Sequence, residues 1–205
     1  FGNVVSNSLN VTGQLPGVSN DYYVKAIIGG AETKASEVQT VSTLVLTPTK
    51  PAIASVTPSS AVVSWTLDPN AEAYLIYLYD ALGTTLIRTV TAEKSISSTT
   101  LAGLSSMTSY TVGIAYQYGK VISNRSALGS FATLRPAITG VTRIAVTATT
   151  ATISWDALPS ASTFEVFTDS KFTIGAIPIS TLSYTFTGLA PGQTYKFGVR
   201  ATYLD

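Results

Sequence analysis

The chain has 205 residues with 12 Lys and Arg against 11 Asp and Glu, a net charge of +1 without any cluster, and neither Cys nor His. These counts exclude disulfide stapling, thiolate chemistry, a histidine general base and histidine metal ligation, and they leave no phosphate-neutralising face and no patch for anionic membranes. Charged residues make up 11% of the chain, against roughly 25% in ordinary soluble domains, so its outer faces are expected to be mild, as in a secreted surface protein or a subunit covered in an assembly.

The chain opens as Phe1-Gly2-Asn3-Val4-Val5-Ser6-Asn7-Ser8, with no basic segment leading into an apolar one, so any secretion signal is expected to be already removed or never included. Val11-Thr12-Gly13 and Leu15 precede an apolar run, Tyr22-Tyr23-Val24-Lys25-Ala26-Ile27-Ile28, and a closing strand is predicted from Val38 to Leu46. Residues 1–48 therefore read as the C-terminal half of a β module, with Leu15 and Tyr22 seven residues apart.

Residues 49–134 read as a complete module. A strand is predicted after Pro51 and a second ending near Trp65, followed by a turn at Asp68-Pro69-Asn70 and a third strand from Ala73 to Tyr79. A turn at Asp80-Ala81-Leu82-Gly83 leads to strands at 85–91 and 97–101. A long strand from Tyr110 to Gln117, a turn at Tyr118-Gly119-Lys120 and a last strand through Gly129 to Leu134 complete the set. Short alternating runs of Val, Ile, Thr and Tyr, bounded by Gly, Pro, Asn and Ser and without helical period, predict an all-β chain. Seven such strands make a sandwich. The longest apolar run, Ala73 to Tyr79, falls far short of the roughly 20 residues that span a bilayer, so membrane insertion is not expected.

Residues 135–205 repeat these signals and stop at Tyr203-Leu204-Asp205 before a final strand. Arg135-Pro136-Ala137-Ile138 matches Lys50-Pro51-Ala52-Ile53, and Ala61-Val62-Val63-Ser64-Trp65 returns 90 residues later as Ala151-Thr152-Ile153-Ser154-Trp155. Each tryptophan is followed nine residues on by an aromatic, Tyr74 or Phe164, and Leu104 and Leu189 each stand six residues before a tyrosine, Tyr110 or Tyr195. A fixed period of this size marks tandem β modules.

Thr187-Gly188-Leu189-Ala190-Pro191-Gly192-Gln193-Thr194-Tyr195-Lys196-Phe197-Gly198-Val199-Arg200-Ala201, together with the second-strand tryptophans and third-strand aromatics, resembles tandem fibronectin type III domains of the bacterial extracellular or surface type. The middle module keeps Gly103, Leu104, Tyr110, Val112 and Ile114 but carries Ser106 where the family often has Pro. The resemblance implies immunoglobulin-like Greek-key sandwiches, extracellular settings, spacer, adhesive or enzyme-accessory roles, and no cofactor. Physically, Trp65 and Trp155 are predicted core anchors, each worth several kcal/mol at about 25 cal/mol per Å². Tyr110 and Tyr195 are predicted to pack inward and bond back to the backbone near Leu104 and Leu189.

Sites for chemistry are sparse. Gly113 to Lys120 has five residues between its glycines and lacks a following Ser or Thr, unlike a phosphate loop. Asp68, Asn70 and Glu72 alternate as at the start of a calcium loop, but without its later Gly and bidentate Glu. Asp156 and the pair Glu165 and Asp169 are read as surface charge. Asn10-Val11-Thr12 and Asn124-Arg125-Ser126 match the glycosylation acceptor pattern, a match expected by chance. The third strand of the middle module is the predicted interaction face: with Tyr74, Ile76 and Leu78 inward, Leu75, Tyr77 and Tyr79 point outward beside Thr111, Gly113 and Ala115 as an aromatic strip.

The expected protein is a non-enzymatic structural or adhesive module array of an extracellular surface protein or filament, without cofactor or metal. Its expected partners are other copies of itself or neighbouring modules of the same chain, not nucleic acid. The complementary ends are expected to be those of a window cut from a longer array; the alternative is head-to-tail strand complementation, in which Val38 to Leu46 or the adjoining strands complete the edge around Tyr195 to Ala201 of a neighbour. The alternative is a spacer or glycan-binding accessory region of a secreted polysaccharide-degrading enzyme, with Tyr77 and Tyr79 stacking on sugar rings.

Overall fold

The computed structural model describes residues 5–168, 173–178 and 180–203; Phe1 to Val4, Asp169, Leu204 and Asp205 lie outside the described residues. Every helix or strand among the described residues is a strand, so the chain is all-β. It divides into two compact units, Phe1–Arg135 and Pro136–Asp205.

The first unit begins with β1 (Ser19–Tyr22), β2 (Ile27–Ile28), β3 (Ala31–Glu32) and β4 (Gln39–Ser42). It continues through β5 (Ala52–Ala54), β6 (Ser60–Ser64), β7 (Ala73–Tyr79) and β8 (Leu86–Glu93), then β9 (Ser98–Ala102), β10 (Ser109–Tyr118), β11 (Val121–Ile122) and β12 (Gly129–Ala132). One sheet has the order β5-β6-β9 and the facing sheet β11-β10-β7-β8, with β12 also on β10. Alternation along β6, β7 and β10 puts Ala61, Val63, Tyr74, Ile76, Leu78, Val112 and Ile114 into the core between them, joined by Trp65, Leu101 and Tyr116. The Trp65 and Tyr74 rings lie 5.6 Å apart, and Tyr74 meets Tyr116 edge-on at 5.7 Å. Strands β1 and β4 form one hairpin sheet and β2 and β3 another, and Val45 packs against the same core.

The hydrogen bonds realign the N-terminal piece. β1 pairs with β4 as Ser19↔Ser42 and Asn20↔Val41, and β10 pairs with β12 as Ser109↔Ala132 and Tyr110↔Phe131. Each N-terminal residue thus matches the one 90 positions later, and Asn20, not Tyr22, stands at the place of Tyr110. Leu15 likewise yields to Gln14 as the counterpart of Leu104. The physical reason is a substitution of bonds. Tyr110 Oη accepts from Ser105 N at 3.0 Å, whereas Asn20 Nδ2 donates to Gln14 Oε1 at 2.9 Å, so a polar pair replaces the tyrosine corner without an inserted residue.

The second unit contains β13 (Thr142–Val146), β14 (Ala151–Ser154), β15 (Thr163–Thr168), β16 (Thr173–Pro178), β17 (Ser183–Phe186) and β18 (Phe197–Thr202). Its sheets run β13-β14-β17 and β16-β15-β18. Ile153, Trp155, Phe164, Val166, Ile177 and Phe186 form the core, with Trp155 edge-on to Phe164 at 5.5 Å. Tyr195 Oη accepts from Ala190 N at 3.0 Å, the same bond that Tyr110 makes.

Candidate functional site

On the outward face of the first unit, β7 lies beside β10 with Leu75 opposite Ala115, Tyr77 opposite Gly113 and Tyr79 opposite Thr111. The Tyr77 and Tyr79 rings are 6.4 Å apart. Leu75 and Tyr77 are half-buried, but Tyr79 is only 8% exposed, so it departs from the predicted open aromatic strip. Its cover is Arg125, whose guanidinium lies 4.5 Å from the Tyr79 ring centre and whose Nη1 donates to the phenol oxygen. A β-carbon at Gly113 would stand 2.8 Å from Arg125 Cγ and Cδ and 3.0 Å from Leu128 Cδ2. Gly113 is therefore the trough in which the 123–128 loop crosses the sheet. Arg125 is the surface residue that sequence reasoning missed; its signal was a glycine in mid-strand facing a loop that holds an arginine.

The turn at Asp68 is a buried polar knot. Asp68 Oδ1 accepts from Asn70 N at 2.8 Å and Oδ2 from the Tyr118 hydroxyl at 3.2 Å, while Tyr74 Oη accepts from Asp68 N at 3.1 Å. Tyr116 Oη donates to Thr66 O at 3.1 Å. These bonds give the Asp68-Pro69-Asn70 turn a structural use, anchoring the 66–70 connection to β7 and β10. Burial, reinforced by the Asp68 charge, pushes the Tyr118 phenol well above its ordinary range and raises that of Tyr116.

The remaining sequence candidates are dispersed. Trp65 and Trp155 are 8% and 4% exposed, Tyr110 is buried and Tyr195 half-buried. Both indole Nε1 groups are buried without a hydrogen-bond partner, so apolar packing alone seats these rings. Asp156 Oδ2 accepts from Thr139 Oγ1 at 2.7 Å, and Glu165 pairs with Arg200 across β15 and β18. Gly113 and Gly119 sit on β10 and in the turn after it. Of the two glycosylation matches, Asn10 and Asn124 are exposed, but the Ser126 hydroxyl is buried and bonded to Ile114 N and Ala127 O.

Residues 136–203 match the family profile described as Fibronectin type III domain. A poly(3-hydroxybutyrate) depolymerase of Delftia acidovorans is 39% identical over 66 residues, covering 32% of this chain and 13% of its own length. Tenascin-N of Mus musculus is 31% identical over 198 residues, covering 93% of this chain and 12% of its own length. The chain thus spans about an eighth of these curated relatives. A solved two-domain fibronectin type III segment from chicken tenascin superposes with a TM-score of 0.54 at 17% identity, over 76% of this chain and 91% of that one, a likeness of fold. With the paired sheets and repeated tryptophan cores, these matches identify the chain as fibronectin type III domains in tandem.

Proposed function

We propose that the chain is a non-catalytic structural and adhesive module array of an extracellular protein, acting through spacing and sheet surface. The observation that supports this most directly is the repeated sandwich core, in which both tryptophans and their aromatic partners are spent on packing. The relation to Tenascin-N along nearly the whole chain agrees with an extracellular setting. In such an array, copies or neighbouring modules associate through sheet edges and through Leu75 and Tyr77. Stretching single chains by their ends tests the load-bearing role: discrete unfolding peaks at recoverable force are expected, and featureless extension would overturn it.

The depolymerase relative favours a second reading, a spacer or polymer-contacting accessory region of a secreted polymer-degrading enzyme. Here Tyr77 lies against the polymer. Sedimentation with insoluble poly(3-hydroxybutyrate) and with polysaccharide particles separates the readings: retention lost on Tyr77→Ala supports the second, and no retention of the unaltered chain removes it.

A further inference from the structure

In the first unit, the sandwich of β5 to β12 has two strands without an outer neighbour among the described residues: β8, at the end of β11-β10-β7-β8, and β9, at the end of β5-β6-β9. They border the same open side, because Arg88 on β8 donates from Nη2 to Ala102 O on β9. The β8 edge has the composition that invites strand addition. Leu86-Ile87-Arg88-Thr89-Val90-Thr91-Ala92 is rich in β-branched residues, contains neither Pro nor Gly, and keeps regular register with β7 from Arg88 to Glu93. Leu86 and Ile87 are 49% and 50% exposed. Exposed edges of this kind recruit strands from other copies unless a charge, a proline or a bulge blunts them. Arg88 is the only charged residue between Asp80 and Glu93.

Packing does not account for an arginine at this place. Arg88 stands opposite Leu78, on the core-side face that it shares with Val90 and Ala92, both of which pack in the core. Its Nε is buried without a hydrogen-bond partner, and no carboxylate pairs with the guanidinium among the described residues. An apolar side chain would cover the same seam without burying an unpaired donor. The edge does account for it. Antiparallel registers centred on Arg88, Thr89 or Val90 would set Arg88 against the Arg88, Val90 or Ala92 of a second copy, on one continuous face. The incoming strand would then take the guanidinium from water with nothing to neutralise it, since Glu93 lies on the opposite face. The counterpart edge strand β16 carries no charge; it includes Gly175, ends on Pro178 and shifts register against β15.

We propose that Arg88 is an edge guard, an inward-pointing charge that withholds the β8–β9 side of the sandwich from strand addition by a second copy of the chain. By capping Ala102 O it also occupies an acceptor on β9, so one side chain serves both free strands. The guard goes beyond the module-array reading and narrows it, because association in the array then uses other surfaces.

The test compares the unaltered 205-residue chain with Arg88→Leu and Arg88→Lys by sedimentation velocity over a concentration series, with amide hydrogen exchange to locate the contact. Arg88→Leu is expected to fold and to self-associate at least about tenfold more strongly than either the unaltered chain or Arg88→Lys. Its amide exchange within 88–92 is expected to slow on association. Folded Arg88→Leu that associates no more strongly than the unaltered chain, association without slowing on β8, or equal association by Arg88→Lys would overturn the guard. Should Arg88→Leu not fold, Arg88→Gln, which keeps a donor for Ala102 O without the charge, is read in the same way. If neither folds, Arg88 is a structural clasp and the guard is overturned. Stretching single chains reads unfolding of the cores rather than association, so the module-array reading and the guard fail separately.

Discussion

Tyr118 carries the most pH-sensitive chemistry of the first unit. Its hydroxyl donates to buried Asp68, and burial together with that negative charge keeps the phenol protonated beyond its usual range. The unfolded chain ionises first, near pH 10, so the stabilisation is complete below that value and is lost progressively as pH rises above it. Urea midpoints of the first unit are therefore expected to fall from about pH 10 upward, and less steeply for Tyr118→Phe. At pH 7 the same variant is expected to cost about 1–3 kcal/mol, because Asp68 Oδ2 loses its buried donor. An unchanged alkaline slope would assign the titration to Tyr116 instead, whose phenol is raised by the same causes. At the tryptophans the argument is volume alone: Trp65→Ala or Trp155→Ala is expected to cost about 3–5 kcal/mol by urea denaturation, since no hydrogen bond ties either indole.

Among the elements, β10 and the 123–128 loop are interdependent. β-branched residues normally favour strands, so Gly113→Val would stabilise an open sheet face. Here the added methyls meet Arg125 and Leu128, and a cost of about 1–3 kcal/mol is expected, with Arg125 lifted from the Tyr79 ring. A double-mutant cycle with Arg125→Ala measures the coupling: the cost of Gly113→Val should shrink in the shortened background, and strict additivity would show that the loop does not press on the strand. The predicted strip of Leu75, Tyr77 and Tyr79 belongs to this scale. Alternation places all three on one face, a local matter of pleat, but the covering of Tyr79 depends on a loop 46 residues away in sequence.

For the whole molecule, charge plays little part in holding the fold. The net charge is +1, and the ion pairs of Lys25 with Glu32 and of Arg200 with Glu165 each have at least one exposed partner. Raising sodium chloride from 0.05 to 0.5 M is expected to change the unfolding free energy of either unit by less than about 1 kcal/mol; a larger shift would mean that charged contacts rather than apolar cores carry the stability. The all-β class and the repeated Trp65 and Trp155 cores were legible without any structure, because alternation, turn residues and period are properties of neighbouring positions. The middle-module strands were legible for the same reason. The N-terminal register was not: Tyr22 carried the pattern of a corner tyrosine, and only pairing with β4 assigned that place to Asn20 and its bond to Gln14. Arg125 over Tyr79 and the Asp68 knot were likewise decided by tertiary structure, since each joins groups whose meeting depends on which strands pair and in which register, and side-chain periodicity specifies only the face on which a residue lies.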